Sequence, residues 1–215
     1  MKIGVFDSGI GGLSVANAIK RAMPEHEIIF KNDAEHLPYG TKTTDEILVY
    51  CLPVLESLAE DGCAVIVVAC NTVSTNLIDE LRQIIAVPLI ATEPMVKPAA
   101  EHTKTGKIIV CATPRTLASP RYAALKTKYA RDIEVFEPDC SDWTQLIESD
   151  QMSDNRIRQA VEPGLQAGAD QIILGCTHYH WIQQEIQQLA ADKAIVIQPE
   201  EALIRQLSQV LARLA

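Results

Sequence analysis

Two apolar runs in this chain break in the same way. Val67-Val68-Ala69-Cys70-Asn71-Thr72 and Ile173-Leu174-Gly175-Cys176-Thr177-His178 each pass from β-branched residues to a cysteine followed by small polar residues. The cysteines stand 106 residues apart in a chain of 215, one in each half. The same offset relates Phe30 to Phe136 and Asp33 to Asp139, and Lys2-Ile3-x-Val5 matches Lys107-Ile108-x-Val110 at an offset of 105. A long period carried by strand positions predicts two similar lobes. Lobes related in this way would set Cys70 and Cys176 on opposing walls of one cleft.

The rest of the pattern agrees with an α/β fold built from mostly parallel sheets. Short Val/Ile/Leu runs predict strands at Ile3–Phe6, Ile28–Lys31, Val65–Val68, Pro88–Ala91, Ile108–Cys111, Glu134–Phe136, Ile172–Leu174 and Ala194–Ile197. Their continuous apolar character, without strict alternation, is that of parallel strands buried on both faces. Between them lie stripes at helical spacing, such as Ile47, Cys51, Leu55 and Leu58, then Leu77, Ile78 and Leu81, then Leu203, Leu207 and Leu211. Pro53 and Pro163 fall inside such stripes and predict kinks or early helix ends. The crossover near Glu93-Pro94 and the return near Pro199 divide the chain into a first lobe, residues 1–93 plus 199–215, and a second, residues 94–198.

Composition narrows the function. A net charge of −9 argues against nucleic acid as a partner, because phosphate binding needs clustered Lys and Arg. No run approaches the ~20 apolar residues of a membrane span. The N-terminal Met1-Lys2-Ile3-Gly4-Val5-Phe6-Asp7 meets an aspartate too early for a signal peptide, so a cytoplasmic protein is expected. In that compartment the six cysteines are expected to be unpaired, with Cys51 and Cys63 serving as core filler.

In open α/β sheets ligands sit beyond the carboxyl ends of the strands, which focuses attention on the residues there. Asp7-Ser8-Gly9-Ile10-Gly11-Gly12 opens the first βα turn, where glycines would let the backbone approach an anion at a helix N-terminus. Asp7 would repel a pyrophosphate, so a carboxylate-binding or catalytic role is favoured over a dinucleotide site. Pro38-Tyr39-Gly40 reads as a tight turn that can lend a hydroxyl and an aromatic wall to a pocket. A thiol ionises near pH 8.5, and less alkaline than that at a helix N-terminus or beside a cation. Such a group can take a proton in one direction and return it in the other. Asn71, Thr72 and Thr177 offer donors for a carboxylate or amine. Cys176-x-His178-x-His180 would scatter its three side chains through a strand-to-helix turn, so no metal is expected there and His178 reads as an acid–base or orienting partner of Cys176.

These residues together resemble the cofactor-independent glutamate racemases of the aspartate/glutamate racemase superfamily. The resemblance is carried in order by Phe6-Asp7-Ser8-Gly9-Ile10-Gly11-Gly12-Leu13-Ser14-Val15, by Asp33-Ala34 with Leu37-Pro38-Tyr39-Gly40, by Ala69-Cys70-Asn71-Thr72, by Cys140 with Leu146-Ile147-Glu148, and by Leu174-Gly175-Cys176-Thr177-His178-Tyr179. It implies two lobes enclosing glutamate, with Cys70 and Cys176 as the two acid–base residues. Asp7 would assist Cys70, and His178 with Glu148 would assist Cys176. Ser8, Pro38, Tyr39, Gly40, Asn71, Thr72, Thr113, Thr116 and Thr177 would line or hold the amino acid. It further implies that no pyridoxal phosphate, metal or other cofactor takes part, that the D-glutamate made goes into peptidoglycan, and that the protein is a homodimer.

The chain departs from the family pattern at Thr92, at Pro114-Arg115, at His180-Trp181 and at Gln198, and is shorter than is usual. None of these departures touches the cysteines. Three other readings compete. Aspartate or both acids could be the substrate, a cysteine nucleophile could isomerise or decarboxylate a small diacid, or the chain could bind a small acid without catalysis.

Overall fold

Strands form at all eight places where the Val/Ile/Leu runs predict them. The computed structural model describes residues 1–214. Its first half runs β1 (Lys2–Asp7), α1 (Gly12–Ala22), β2 (Glu27–Asn32), α2 (Thr44–Glu60), β3 (Val65–Val68), α3 (Asn71–Ile84), β4 (Leu89–Ala91) and α4 (Val96–His102). Next come β5 (Lys107–Ala112), α5 (Pro114–Leu117), α6 (Pro120–Tyr129), β6 (Glu134–Phe136), α7 (Trp143–Glu148) and α8 (Asp154–Gln166). The chain closes with β7 (Gln171–Gly175), α9 (Gln183–Ala190), β8 (Ile195–Ile197) and α10 (Glu200–Leu214). Short 3-10 segments occupy Ala34–His36, Tyr39–Thr41 and Thr177–Ile182.

The strands make two four-stranded sheets, ordered β2-β1-β3-β4 and β6-β5-β7-β8, and every pairing is parallel. The second order is the first with four added to each number, so the long sequence period is a repeat of topology. The two phenylalanines at the offset of 106 are not equivalent, however: Lys2 pairs with Glu27 and Lys107 with Glu134, so Phe30 corresponds to Glu137, and Phe30 packs on the α1 and α10 face whereas Phe136 packs on the α8 face. The central strands β3 and β7 are buried at every position, as their unbroken apolar runs require.

Each sheet has a core on both faces because successive strand residues point to opposite sides. Ile66 and Val68 pack with Ile47, Leu55, Leu77 and Leu81 of α2 and α3. Val65 and Val67 pack with Val15 and Ile19 of α1 and with Leu203, Leu207 and Leu211 of α10. The second sheet repeats this, with Ile172 and Leu174 against α8 and α9 and Ile173 against α4 and α6. The helix that ends the chain thus packs on the first sheet. The last residue assigned to the first lobe on sequence grounds, Ala215, lies outside the described residues.

The two interior prolines do not end their helices. α2 runs through Pro53 and α8 through Pro163. Both prolines are exposed, as are Val49 and Gln159 four residues earlier, so the carbonyls they leave without an N–H partner lie on the solvent side. α2 is also well started: Thr43 and Glu46 form a reciprocal capping box.

Leu207 is fully buried between α10 and the first sheet. Leu207→Ala is expected to lower unfolding free energy by about 2–5 kcal/mol, measured by urea denaturation. A loss below about 0.5 kcal/mol would mean that α10 does not hold to the sheet.

Candidate active site

The carboxyl ends of the two sheets face each other, and side chains from both meet there. Asp7, at the end of β1, accepts a hydrogen bond from Thr177 Oγ1 at 3.0 Å, just after β7. Thr72, at the start of α3, lies 3.0 Å from Thr113 Oγ1, just after β5. The Ile10 amide donates to Glu148 at 3.4 Å. The cleft between the sheets is therefore closed by hydrogen bonds between its walls.

Each cysteine follows a central strand and precedes a helical turn. Cys70 sits at the N-cap of α3, and Cys176 at the N-cap of the 3-10 segment Thr177–Ile182. Both are almost sealed from water, at 4% and 7% exposure. Ser8 Oγ lies 3.5 Å from Cys70 Sγ. On the other wall Cys176 Sγ lies 3.9 Å from His178 Nδ1, and His178 Nε2 lies 2.6 Å from Glu148 Oε1. A carboxylate can only accept, so Nε2 carries a hydrogen and donates to Glu148. That leaves Nδ1 of a neutral His178 free to accept the thiol hydrogen, a relay from Cys176 through His178 to Glu148.

The expectation that helix N-termini would hold the thiols low is overturned. Cys70 is pushed up to about 12, first by burial and next by the charge of Asp7; Ser8 and backbone hydrogen bonds pull the other way without prevailing. Cys176 is also raised, by burial, then by Asp7 and by Cys70. Removing an anion from water costs more than one helix terminus returns. Both groups are thus thiols at neutral pH in this enclosed setting. Asp7 is itself raised by burial, opposed by His178, Thr177 and the Gly12 amide.

The glycines after Asp7 let the opposite wall of the cleft come close. A Cβ on Gly9 would come within 2.8 Å of both Glu148 Oε1 and His178 Nε2, and one on Gly11 within 2.6 Å of the His178 backbone nitrogen. On Gly12 it would run into the Asp7 side chain. A Cβ on Gly40 would lie 2.8 Å from that of Thr113. Three of these glycines are required because the opposite wall comes so close.

The remaining sequence candidates divide into engaged and free groups. Tyr39 is buried, but its hydroxyl donates to Asp33 at 2.6 Å; its ring packs in the same apolar cluster as Cys70. Pro38 is half-buried and its carbonyl accepts from Thr41 at 3.4 Å. Thr72, Thr113 and Thr116 hydrogen-bond one another at 3.0–3.4 Å. By contrast Asn71 is 2% exposed with neither amide atom partnered among the described residues, and Asp7 Oδ1 is likewise buried without a partner among them. Unpaired polar atoms in such burial are costly unless a polar ligand fills them.

Two contributors were not singled out by sequence reasoning. Asp33, which the sequence gives only a place in the repeat and in the family motif, holds the Tyr39 hydroxyl and, at 2.8 Å, His36. Thr144 stands beside the Cys176 sulfur and favours its anion. The available signal was spacing, since Thr144 and Glu148 are one helical turn apart on α7. His180 faces Ser14 at 3.0 Å while His178 turns to Glu148, so the Cys-x-His-x-His run does not converge. Among the described residues no group of three His, Cys, Asp or Glu side chains could hold a metal ion.

Comparison with known proteins agrees with this geometry. The family model described as Asp/Glu/Hydantoin racemase matches residues 10–207. A protein of Pseudomonas syringae named glutamate racemase is 39% identical over 216 residues, covering 98% of this chain and 78% of that protein. The crystal structure of Escherichia coli glutamate racemase in complex with L-glutamate and the activator UDP-MurNAc-ala is similar with a TM-score of 0.91 at 28% identity, covering 98% of this chain and 82% of that one. That of Francisella tularensis glutamate racemase with D-glutamate has a TM-score of 0.83 at 29% identity, covering 99% and 81%. The two-sheet fold, the paired strand-end motifs and these matches agree: the chain is an enzyme of the Asp/Glu/Hydantoin racemase family.

Proposed function

We propose that the chain interconverts L- and D-glutamate by moving one proton at the α-carbon, with Cys70 and Cys176 as the two acid–base groups. The observation that carries this reading is the pair of enclosed thiols at equivalent strand ends. The relatives named glutamate racemase, and the neighbours solved with L- and D-glutamate, support the choice of substrate.

In this reaction one cysteine, as thiolate, removes the α-proton from one face. The other, as thiol, donates its proton to the opposite face. The C–H bond broken and the C–H bond formed lie on opposite sides of the carbon, so the configuration inverts. Proton count is conserved, and the two cysteines end with their roles exchanged. The reverse reaction begins from that state.

Burial makes the thiolate expensive before substrate arrives. The α-ammonium of glutamate brings a positive charge into the site and favours the anion there. At Cys176 the displaced proton can pass to His178, whose imidazolium is then held by Glu148. At Cys70 the neighbours are Ser8 by hydrogen bond and Asp7 by charge. Asn71, Thr72 and Thr177 bind the substrate's polar groups, while Ser8, Pro38, Tyr39, Gly40, Thr113 and Thr116 shape and rigidify the pocket. Oriented dipoles in a site shut off from water stabilise the carbanion, and no cofactor takes part in this reading. We further propose a cytoplasmic protein that supplies D-glutamate for peptidoglycan. Free, buried cysteines fit a reducing compartment. Growth of a D-glutamate-requiring bacterial strain on this chain tests the supply role, and failure of an expressed, active protein to restore growth would remove it.

The chemistry predicts that Cys70→Ser and Cys176→Ser each lower racemisation by at least about 10²-fold, since each removes one proton carrier. Proton exchange in D2O, followed by NMR with both enantiomers of glutamate and of aspartate, reads this out. Full racemisation by either variant would sink the two-base mechanism, and faster turnover of aspartate would reassign the substrate. The pH profile follows from the raised thiols. Because burial pushes Cys70 up to about 12, the thiolate fraction grows with pH, and kcat/KM is expected to climb about tenfold per unit above neutrality. A flat profile between about pH 6 and 9 would mean that a thiolate is already present at rest. Asn71→Ala is expected to raise KM for both enantiomers roughly tenfold, the loss of one buried polar contact.

A further inference from the structure

We infer that His180 is a positioning residue that latches the two walls of the cleft shut through Ser14. His180 belongs to the 3-10 segment that also carries Thr177 and His178, and Ser14 belongs to α1 on the other wall. His180 Nδ1 lies 3.0 Å from Ser14 Oγ, and the Gly11 carbonyl lies 3.0 Å from the same hydroxyl. The hydroxyl can accept from Nδ1–H while donating to Gly11, or turn its hydrogen to Nδ1, and in either tautomer one hydrogen bond joins the two walls. Burial and the neighbouring His178 hold His180 down to about 4, against a hydrogen bond to the Leu174 backbone, so the ring is neutral and carries one hydrogen.

The latch reaches the chemistry from both ends. Gly11 is the residue packed against the His178 backbone, and the next amide, Gly12, donates to Asp7 at 2.7 Å. A single chain of contacts thus joins the turn after Cys176 to the loop that carries Asp7 and Ser8. His180 itself touches no reacting atom. Substrate can enter the sealed site only when the walls part, so the His180–Ser14 bond breaks and reforms in each cycle. It favours the closed state with either enantiomer inside, which is uniform binding, seen in KM and not in kcat.

The test uses the full chain with His180→Leu, His180→Asn, Ser14→Ala and the His180→Leu/Ser14→Ala pair. One readout is kcat and KM for each glutamate enantiomer, which rests on the racemase reading. The other is the rate at which iodoacetamide alkylates Cys70 and Cys176 at fixed pH, which does not. His180→Leu, Ser14→Ala and the pair should each raise KM for both enantiomers and speed alkylation by roughly fivefold, the ratio expected for one lost hydrogen bond, with kcat within about twofold. The pair should be no worse than either single change, because the one bond that joins the walls is lost in all three, and the Ser14–Gly11 contact that Ser14→Ala also removes lies within one wall. His180→Asn, whose amide can donate to the Ser14 hydroxyl or accept from it, should stay within about twofold of the parent. The inference is overturned if Ser14→Ala matches the parent in both readouts, if the loss falls on kcat alone, or if the two single effects multiply. Should His180→Leu fail to fold, Ser14→Ala removes the same bond between the walls, together with a contact inside one wall, from a half-buried helix position and decides by itself. Should the parent racemise no acid, the racemase reading falls, and the alkylation rates still decide the latch.

Discussion

A carboxylate with no access to water sits where the two lobes meet. Asp7 is completely buried and accepts one hydrogen bond from its own lobe, the Gly12 amide, and one from the other, the Thr177 hydroxyl. A buried ionisable group must be compensated or it neutralises, so Asp7 forces donors to converge on it. The glycines that follow it let the opposite wall come near enough to supply one. The same charge is felt at both thiols. Closure of the cleft, orientation of its walls and the basicity of both cysteines are therefore tied to one side chain.

The two walls are built alike and equipped differently. Duplicate strand order delivers a cysteine after each central strand, which is what a reaction needing the same group on two faces demands. Around Cys70 the partners are a serine hydroxyl and the charge of Asp7. Around Cys176 they are an imidazole and, behind it, a carboxylate. Burial raises both thiols, and the differing partners then set how each one can pass its proton on. In the proposed reaction enclosure has two effects of opposite sign, making the thiolate harder to form while strengthening every dipole that would act on a carbanion.

Much of this was legible in the residues, for identifiable reasons. The eight strands could be located because strands buried on both faces need unbroken apolar runs, and Val65–Val68 or Ile172–Leu174 admit no other use. The cysteines could be paired because a duplicated topology keeps its spacing. What could not be read was set by contacts distant in sequence. Gly9, Gly11 and Gly40 look like ordinary turn residues, yet the atoms that exclude a side chain there belong to Glu148, His178 and Thr113. Pro53 looks like a helix breaker until its exposed setting is known. The thiols were expected low from their helix positions, whereas depth of burial is a property of the whole fold. Tyr39 reads as a donor to a ligand, but its hydroxyl is already committed to Asp33 six residues before it.

The inequality of the two walls carries a thermodynamic consequence. Mirror-image forms of glutamate have equal free energy in water, so the equilibrium constant of the proposed reaction is one whatever the protein does. The ratio of forward to reverse kcat/KM must equal that constant. A serine beside one sulfur and an imidazole beside the other cannot make the enzyme more efficient in one direction. They can only make one enantiomer bind tighter and turn over more slowly, in matched proportion. The asymmetry of the site is thus confined to how long each hand of the substrate stays.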